Sequence, residues 1–451
     1  MTGRRHLRLT TTLARCAELA ELACRRAVRA GAEQAEASCG LGLSVEAELE
    51  ESRLKSGSRH FAESLAVHAY WRGGRGAYVV HQLSAAAAEL AGRRAAELAR
   101  SATPDPDFRS LPAPEAVPEV AGLYDPELAD PSAELVLEAA GRLLARARAA
   151  EPGCKVSGSV SAASSRGALV NSLGVRLASQ ATSISAGCLA VIRRRGQSGS
   201  FYDFDMGRRL ADVDIGAVGR SAAAGAAEYL GGRSLPSGAL PVVLGPLAAS
   251  GLIESVVGAA SAESIQRRRS YLAGMLGKRI AARGLSVLDD GLYPAGIYSS
   301  PVDAEGVPRR PVAVIEDGVL RELLHNSYTA GKAGTRSNGH STGAGCGPTN
   351  LRPRPGARPA AELIAEVRRG LYINSASLAP NPSSGDVSAM VEFGMLIEKG
   401  RLAGPVANVS VGGHILKMLA DIEAVSSDYR SEPGNVLPTV RIRRVQVSGA
   451  G

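Results

Sequence analysis

His325 and His340 bracket the stretch HNSYTAGKAGTRSNGH, which is crowded with Gly, Ser, Thr and Asn and broken by Lys332 and Arg336. Three chemistries compete for it. Together with Cys346, the two imidazoles offer a metal set of His325, His340 and Cys346. However, no carboxylate or thiolate lies between the histidines, and tight two-histidine sites use helical or strand-local spacing. A phosphate cradle needs a strand, a Gly-rich turn and a helix opening directly after the glycines. Here the loop is expected to run on through Pro348. The third reading is a glycine-rich segment whose exposed backbone meets a peptide or a partner chain.

Other sites are weaker. A metallohydrolase helix needs His-Glu with a second His about one turn on, and no histidine in this chain is followed by glutamate. His60 and His68, in HFAESLAVH, read as two strand histidines. Asp289 and Asp290 are adjacent, so on an extended chain they point opposite ways, and they read as a turn before Gly291. Cys346 with His340 as nucleophile and base describes a self-sufficient hydrolase that needs no metal. A homo-oligomeric peptide-binding scaffold without activity is the remaining alternative. The six cysteines form no Cys-x-x-Cys pair and read as reduced structural thiols.

The elements that position these residues follow from pattern. At 451 residues the chain predicts two or three domains. Its net charge of +8 comes almost wholly from scattered Arg, which argues against a nucleic-acid face, and no apolar run is long enough for a membrane span. The basic start, Met1–Leu41, lacks the apolar core of a signal peptide, so a cytoplasmic location is expected. Periodicity predicts helices over Thr11–Ala30, Ala85–Ala102, Ser132–Ala150 and Ile215–Leu230. It predicts strands over Ala35–Val45, Leu65–Trp71 and Gly76–Val80, and antiparallel sheet from Lys155 to Phe204 with a turn at Asn171–Gly174. Thr103–Pro118 is rich in proline and reads as a surface loop. Gly231–Gly238 is the best boundary, dividing the chain into domains 1–230 and 231–451. The second opens with a strand at Leu240–Leu244 and a long helical region from Leu247 to about Arg283. Two hairpins follow, with tips at Glu316-Asp317-Gly318 and Glu398-Lys399-Gly400. The expected fold is α+β: two domains, each with mainly antiparallel sheet and packed helices.

Two segments carry a resemblance. Asp303–His340 has an acid-x-Glu-Gly-Val-Pro entry, a hairpin and a His-polar-Tyr-Thr-Ala exit. Asn381–Leu419 has a Ser-Gly-Asp start, an Ile-Glu-x-Gly turn and a Gly-rich strand exit. Both resemble the TldD/PmbA (TldD/TldE) family of metallopeptidase-associated proteins, over most of the chain. In that family the TldD kind of subunit carries His-Glu-x-x-x-His on a helix shortly after a Val-Val-Leu-Gly-Pro-like strand, and binds zinc with a later cysteine. Here Val242–Pro246 keeps the strand, but Glu254, Ser255 and Ala259 fall where the two histidines and the base belong. Val425–Asn435 contains no cysteine. The resemblance therefore implies the PmbA/TldE-type subunit, which lacks the zinc motif and has no cofactor of its own. It would form a heteromer with a TldD-type zinc-bearing subunit, act on a peptide or peptide-like substrate, and serve proteolysis or peptide maturation. It also makes His325, Tyr328, Arg336, Asn338 and Glu254 candidates for substrate or partner contact. The family's Gly-Asp-x-Ser-Arg-Gly is replaced here by Gly385–Met390, with Ala389 and Met390 at the Arg-Gly positions, which points to a specialised biosynthetic role.

Overall fold

One strand shows how the first half is built. In β1 (Gln34–Glu50), Ala35, Ala37, Cys39, Leu41, Leu43, Val45, Ala47 and Leu49 are all buried on one face, while Glu36, Ser38, Ser44, Glu46 and Glu48 take the other. A strand of 17 residues reaches roughly 55 Å, long enough to support two helix pairs side by side. The structure, a computed structural model, describes residues 12–449. Thr11, where the sequence reading starts its first helix, and the basic segment before it lie outside the described residues.

Helix α1 (Leu13–Arg29) precedes β1. Next come β2 (Arg53–Trp71), β3 (Gly74–Val80), α2 (Ala85–Ser101), α3 (Ala133–Ala150), β4 (Lys155–Asn171), β5 (Arg176–Arg194), β6 (Gln197–Gly207) and α4 (Ile215–Glu228). The strands form an antiparallel six-stranded sheet in the order β3-β2-β1-β4-β5-β6. Helices α1 and α2 cover one end of its apolar face, and α3 and α4 the other. Alanine dominates both layers, so the helix backbones come close. A Cβ on Gly92 would meet the Ala23 carbonyl oxygen at 2.3 Å, and one on Gly219 would meet that of Leu143 at 2.2 Å.

The second half contains β7 (Gly238–Leu244), α5 (Pro246–Ala259), α6 (Ala262–Gln266), β8 (Val287–Asp289), β9 (Val312–Glu316), β10 (Val319–Leu320), α7 (Ser327–Ala333) and β11 (Leu351–Pro353). These are followed by α8 (Ala360–Ala365), β12 (Arg369–Ala376), β13 (Asp386–Glu398), β14 (Arg401–Pro405), β15 (Val409–His414), α9 (Ile415–Ala420), β16 (Ile422–Glu432) and β17 (Asn435–Gly449). β12 pairs with β7 in parallel and with β13 antiparallel, so the path β12-β7-β17-β15-β13 returns on itself. Helix α5 packs Leu252, Ile253, Val256 and Val257 into the core of this ring. A small sheet, β10-β9-β8-β11, lies beside it. The fold is α+β with mainly antiparallel sheet, as the patterning predicts.

Both C-terminal hairpins form at the expected tips. Asp317 and Gly318 have φ of 46° and 77°, and Lys399 and Gly400 have 50° and 76°. Positive φ at both central residues matches the twist of the flanking strands. Three expectations need correction. The helical region from Leu247 to Arg283 ends as α5 at Ala259, and after the short α6 the chain is irregular. Its amides are spent on tertiary partners there: Tyr271 on Pro382, Gly277 on Leu320, Ile280 on Gly318 and Ala282 on Leu419. Strand β2 begins at Arg53 rather than Leu65, because register with β1 carries the pairing on through the polar stretch before Leu65. The His325–His340 stretch holds a helix, α7. Asn326 caps it by accepting from the Thr329 amide, and Thr329 Oγ1 accepts from the Asn326 amide in return. That helix begins before the glycines rather than after them, so no phosphate cradle is built.

Candidate functional site

The polar face of the six-stranded sheet meets the second half of the chain at one end, and residues from both halves gather there. Strand pairing sets Glu36 directly opposite His68. Glu36 Oε1 lies 2.8 Å from His68 Nδ1, and Arg75 Nη2 lies 3.4 Å from His68 Nε2. Two residues along β2, Tyr70 stacks on Phe108 at 4.2 Å between ring centroids. Phe108 comes from the proline-rich segment, which forms a surface loop as expected. The Asp105 amide donates to the Gly73 carbonyl, Gln34 Oε1 accepts from the Leu111 amide, and Asn171 Nδ2 donates to the Pro112 carbonyl.

The opposite wall comes from the Asp303–Val307 turn and α7. Asp303 accepts from the amides of Glu305, Val307 and Ser341, which fixes the turn. Gly306 has φ of 82°, and a Cβ there would meet Val175 Cγ1 at 2.9 Å, so this turn presses against the first half of the chain. Glu305 Oε2 accepts from the Ser327 amide at 2.8 Å. Burial and the neighbouring Asp105 push the Tyr328 hydroxyl up, and Lys332 is ion-paired with Asp107. The walls enclose a crevice of about 400 Å³ with Glu36, His68, Tyr70, Arg75, Glu305 and Tyr328 in its lining. Clefts of this size between structural units are common ligand sites. Burial pushes Glu305 above the usual carboxylate range; hydrogen bonds from Ser327 pull it back, and the charges of Asp303 and Glu36 add to the rise.

Of the residues proposed from sequence for substrate or partner contact, only Tyr328 lines this crevice; His68, read from sequence as a strand histidine, lines it too. His325 is half-buried beside it, with Nδ1 3.2 Å from Thr329 Oγ1, and burial pushes its imidazole below the usual value. Asn338, expected at a contact surface, is 3% exposed. It accepts from the His325 amide and donates to the Leu323 carbonyl, so its role is internal. Arg336 is exposed. Glu254 is exposed on α5 with Ser250 Oγ donating to it at 2.9 Å; Tyr298 and Glu432 are close enough for its charge to be felt.

His340 is 1% exposed, with Nδ1 3.0 Å from the Asn338 carbonyl and Nε2 3.4 Å from Asp289 Oδ1. Neither ring nitrogen is hydrogen-bonded to Cys346, whose Sγ lies 3.6 Å from Thr329 Oγ1. Burial pushes the Cys346 thiol up, and the protonated thiol is the poorer nucleophile. Among the described residues, no three His, Cys, Asp or Glu side chains converge as a metal-binding group. Asp289, read as a turn residue, is instead fully buried at the end of β8. Gly339–Gly343 has the Gly-x-Ser-x-Gly spacing of a nucleophile elbow. Ser341 is only 2% exposed, though, and the next element after it is strand β11, not a helix.

Sequence reading missed Glu36, Asp105 and Glu305 as a group. The only signal was Glu305 within the acid-x-Glu-Gly-Val-Pro motif. The Glu36–His68 pairing depends on a turn in which Glu51 and Ser52 have φ of 51° and 65°, without a glycine to announce it.

Comparison with known proteins fits this architecture. Residues 126–230 match the family profile described as the PmbA/TldA metallopeptidase central domain, and residues 237–449 match the C-terminal domain of the same family. A protein named metalloprotease from Methanothermobacter thermautotrophicus is 31% identical over 259 residues, covering 53% of this chain and 57% of that protein. Metalloprotease PmbA of Escherichia coli is 26% identical over 281 residues, covering 62% and 61%. The match thus spans less than two thirds of the length of these relatives. The structure of TldE from Thermococcus kodakarensis superposes with a TM-score of 0.88 over 96% of this chain and 100% of that one, at 22% identity, and shares the fold. The chain belongs to the PmbA/TldD family.

Proposed function

We propose that the chain is the zinc-free subunit of a heteromeric TldD/TldE-like peptidase in the cytoplasm. A zinc-bearing TldD-type partner supplies the metal, and the heteromer cleaves peptide or amide bonds of a small or unfolded peptide or a peptide-like biosynthetic intermediate. The observation that carries this reading is the makeup of α5. The helix follows β7 through Gly245 and Pro246, and the Gly245 amide is anchored on the Ile373 carbonyl at 2.7 Å. At the positions in question it offers an exposed Glu254, a half-buried Ser255 and Ala259, which packs against the core. Ser255 Oγ donates to the Gly251 carbonyl of its own helix, and Ala259 has no donor atom. One carboxylate is no zinc site, which takes three protein ligands even where a position is left open for water. The residues present do not fit the metal.

The part left to this chain is to complete the cavity and hold the substrate. An extended peptide is bound through its backbone with little sequence reading. The test is co-expression with a zinc-bearing relative, followed by size exclusion and assays of zinc and amide hydrolysis on each chain alone and on the mixture. Co-elution and hydrolysis that requires both chains are expected. Separate elution at micromolar concentration, with the partner fully active alone, overturns the proposal.

A further inference from the structure

The crevice between the two halves carries an unmet demand for a hydrogen-bond donor. Glu36 is 9% exposed, and although Oε1 meets His68, its Oε2 is buried with no hydrogen-bond partner. A buried carboxylate oxygen without a donor costs about 1–3 kcal/mol or more, so such an atom beside a cavity calls for a ligand. Glu305 stands on the facing wall, near enough for the Glu36 charge to disfavour its own. The remaining charges do not balance this pair. Arg267 is taken by Glu263 at 2.8 Å, Asp105 adds a further negative charge to the lining, and Arg75 approaches His68 rather than either carboxylate.

We propose that this crevice binds a primary ammonium group carried by a peptide, held between Glu36 and Glu305. The chemistry matches on three counts. An ammonium has three N–H donors, the group that an unpartnered Glu36 Oε2 and a second carboxylate, Glu305, in the same lining call for. A cation relieves the like-charge contact, whereas an anion would meet both carboxylates. The stacked rings of Tyr70 and Phe108 offer apolar contact and a π face to the carbons and charge beside the ammonium. The inference rests on the reading that this chain holds peptide, and it places one end of the substrate or a lysine-like side chain at a defined point.

Titration calorimetry of the full chain, without partner, tests it with three alanine-based peptides: free amino terminus, N-acetylated, and N-acetylated with one lysine. Tighter binding of the first than the second, by about tenfold or more, assigns the site to an amino terminus. The same gain for the third over the second assigns it to a lysine side chain. Glu36→Gln and Glu305→Gln should each erase most of the preference, with melting curves recorded to show that the variants fold. Equal binding of all three peptides by the unaltered chain, or no binding of any at millimolar concentration, overturns the proposal whatever the variants do. Because partner and hydrolysis are absent from this assay, its failure is distinct from failure of the heteromeric reading.

Discussion

His340 Nε2 lies 3.4 Å from Asp289 Oδ1, and both side chains are fully buried. Around this pair, Asp289 also accepts from the Thr349 amide at 2.9 Å and from the Thr349 hydroxyl. On its other side His340 meets Asn338, which in turn holds the His325 amide. The network ties β8 to the strand exit that leads into α7, and so sets one wall of the crevice. Asp289→Ala leaves the Thr349 donors buried and unpaired, at a cost of about 1–3 kcal/mol. A lowered urea midpoint is expected. An unchanged midpoint refutes this account of the network.

The metal prediction follows from α5. The isolated chain is expected to carry no stoichiometric zinc, because Glu254, Ser255 and Ala259 supply a single carboxylate. Elemental analysis that finds about one tightly held zinc per chain contradicts it.

Cys346 is expected to be dispensable for chemistry. Its thiol is pushed up by burial, and neither nitrogen of His340 is hydrogen-bonded to it. In the reconstituted heteromer, Cys346→Ala should change kcat/KM by less than about tenfold. A loss of ~10²-fold or more, typical of removing a catalytic acid or base, would revive the self-sufficient hydrolase.

Glu305 gives a pH dependence of known sign. Burial raises its carboxyl above the ordinary range in the folded chain, so the native state binds this proton more tightly than the unfolded state does. Its contribution to stability is fully present below the unfolded value and is lost as pH rises through the folded one. Glu305→Gln keeps an acceptor for the Ser327 amide but removes the titration. The melting temperature at about pH 5 minus that at about pH 7.5 should therefore be smaller, or more negative, in the variant than in the parent. An identical difference in the two proteins defeats the assignment.

The sequence by itself determined the elements with strong local causes. Helices α1 to α4 follow from apolar spacing and from caps such as Ser84 and Ser132, and the two C-terminal hairpins follow from residues that accept positive φ at their tips. The motifs at Asp303–His340 and Asn381–Leu419 also placed the chain in its family without reference to coordinates. What the sequence left open was decided by partners distant along the chain. α5 stops at Ala259 because the following backbone finds better acceptors in other segments, and β2 extends to Arg53 because β1 pairs with it. Asn338 reads as a polar loop residue, yet tertiary packing buries it as a brace for His325 and His340. The Glu36–Glu305 crevice joins residues 269 positions apart, and no local periodicity encodes that meeting. Strand register and the seating of the Asp303–Val307 turn against the first half bring those carboxylates together, and both are properties of the assembled fold.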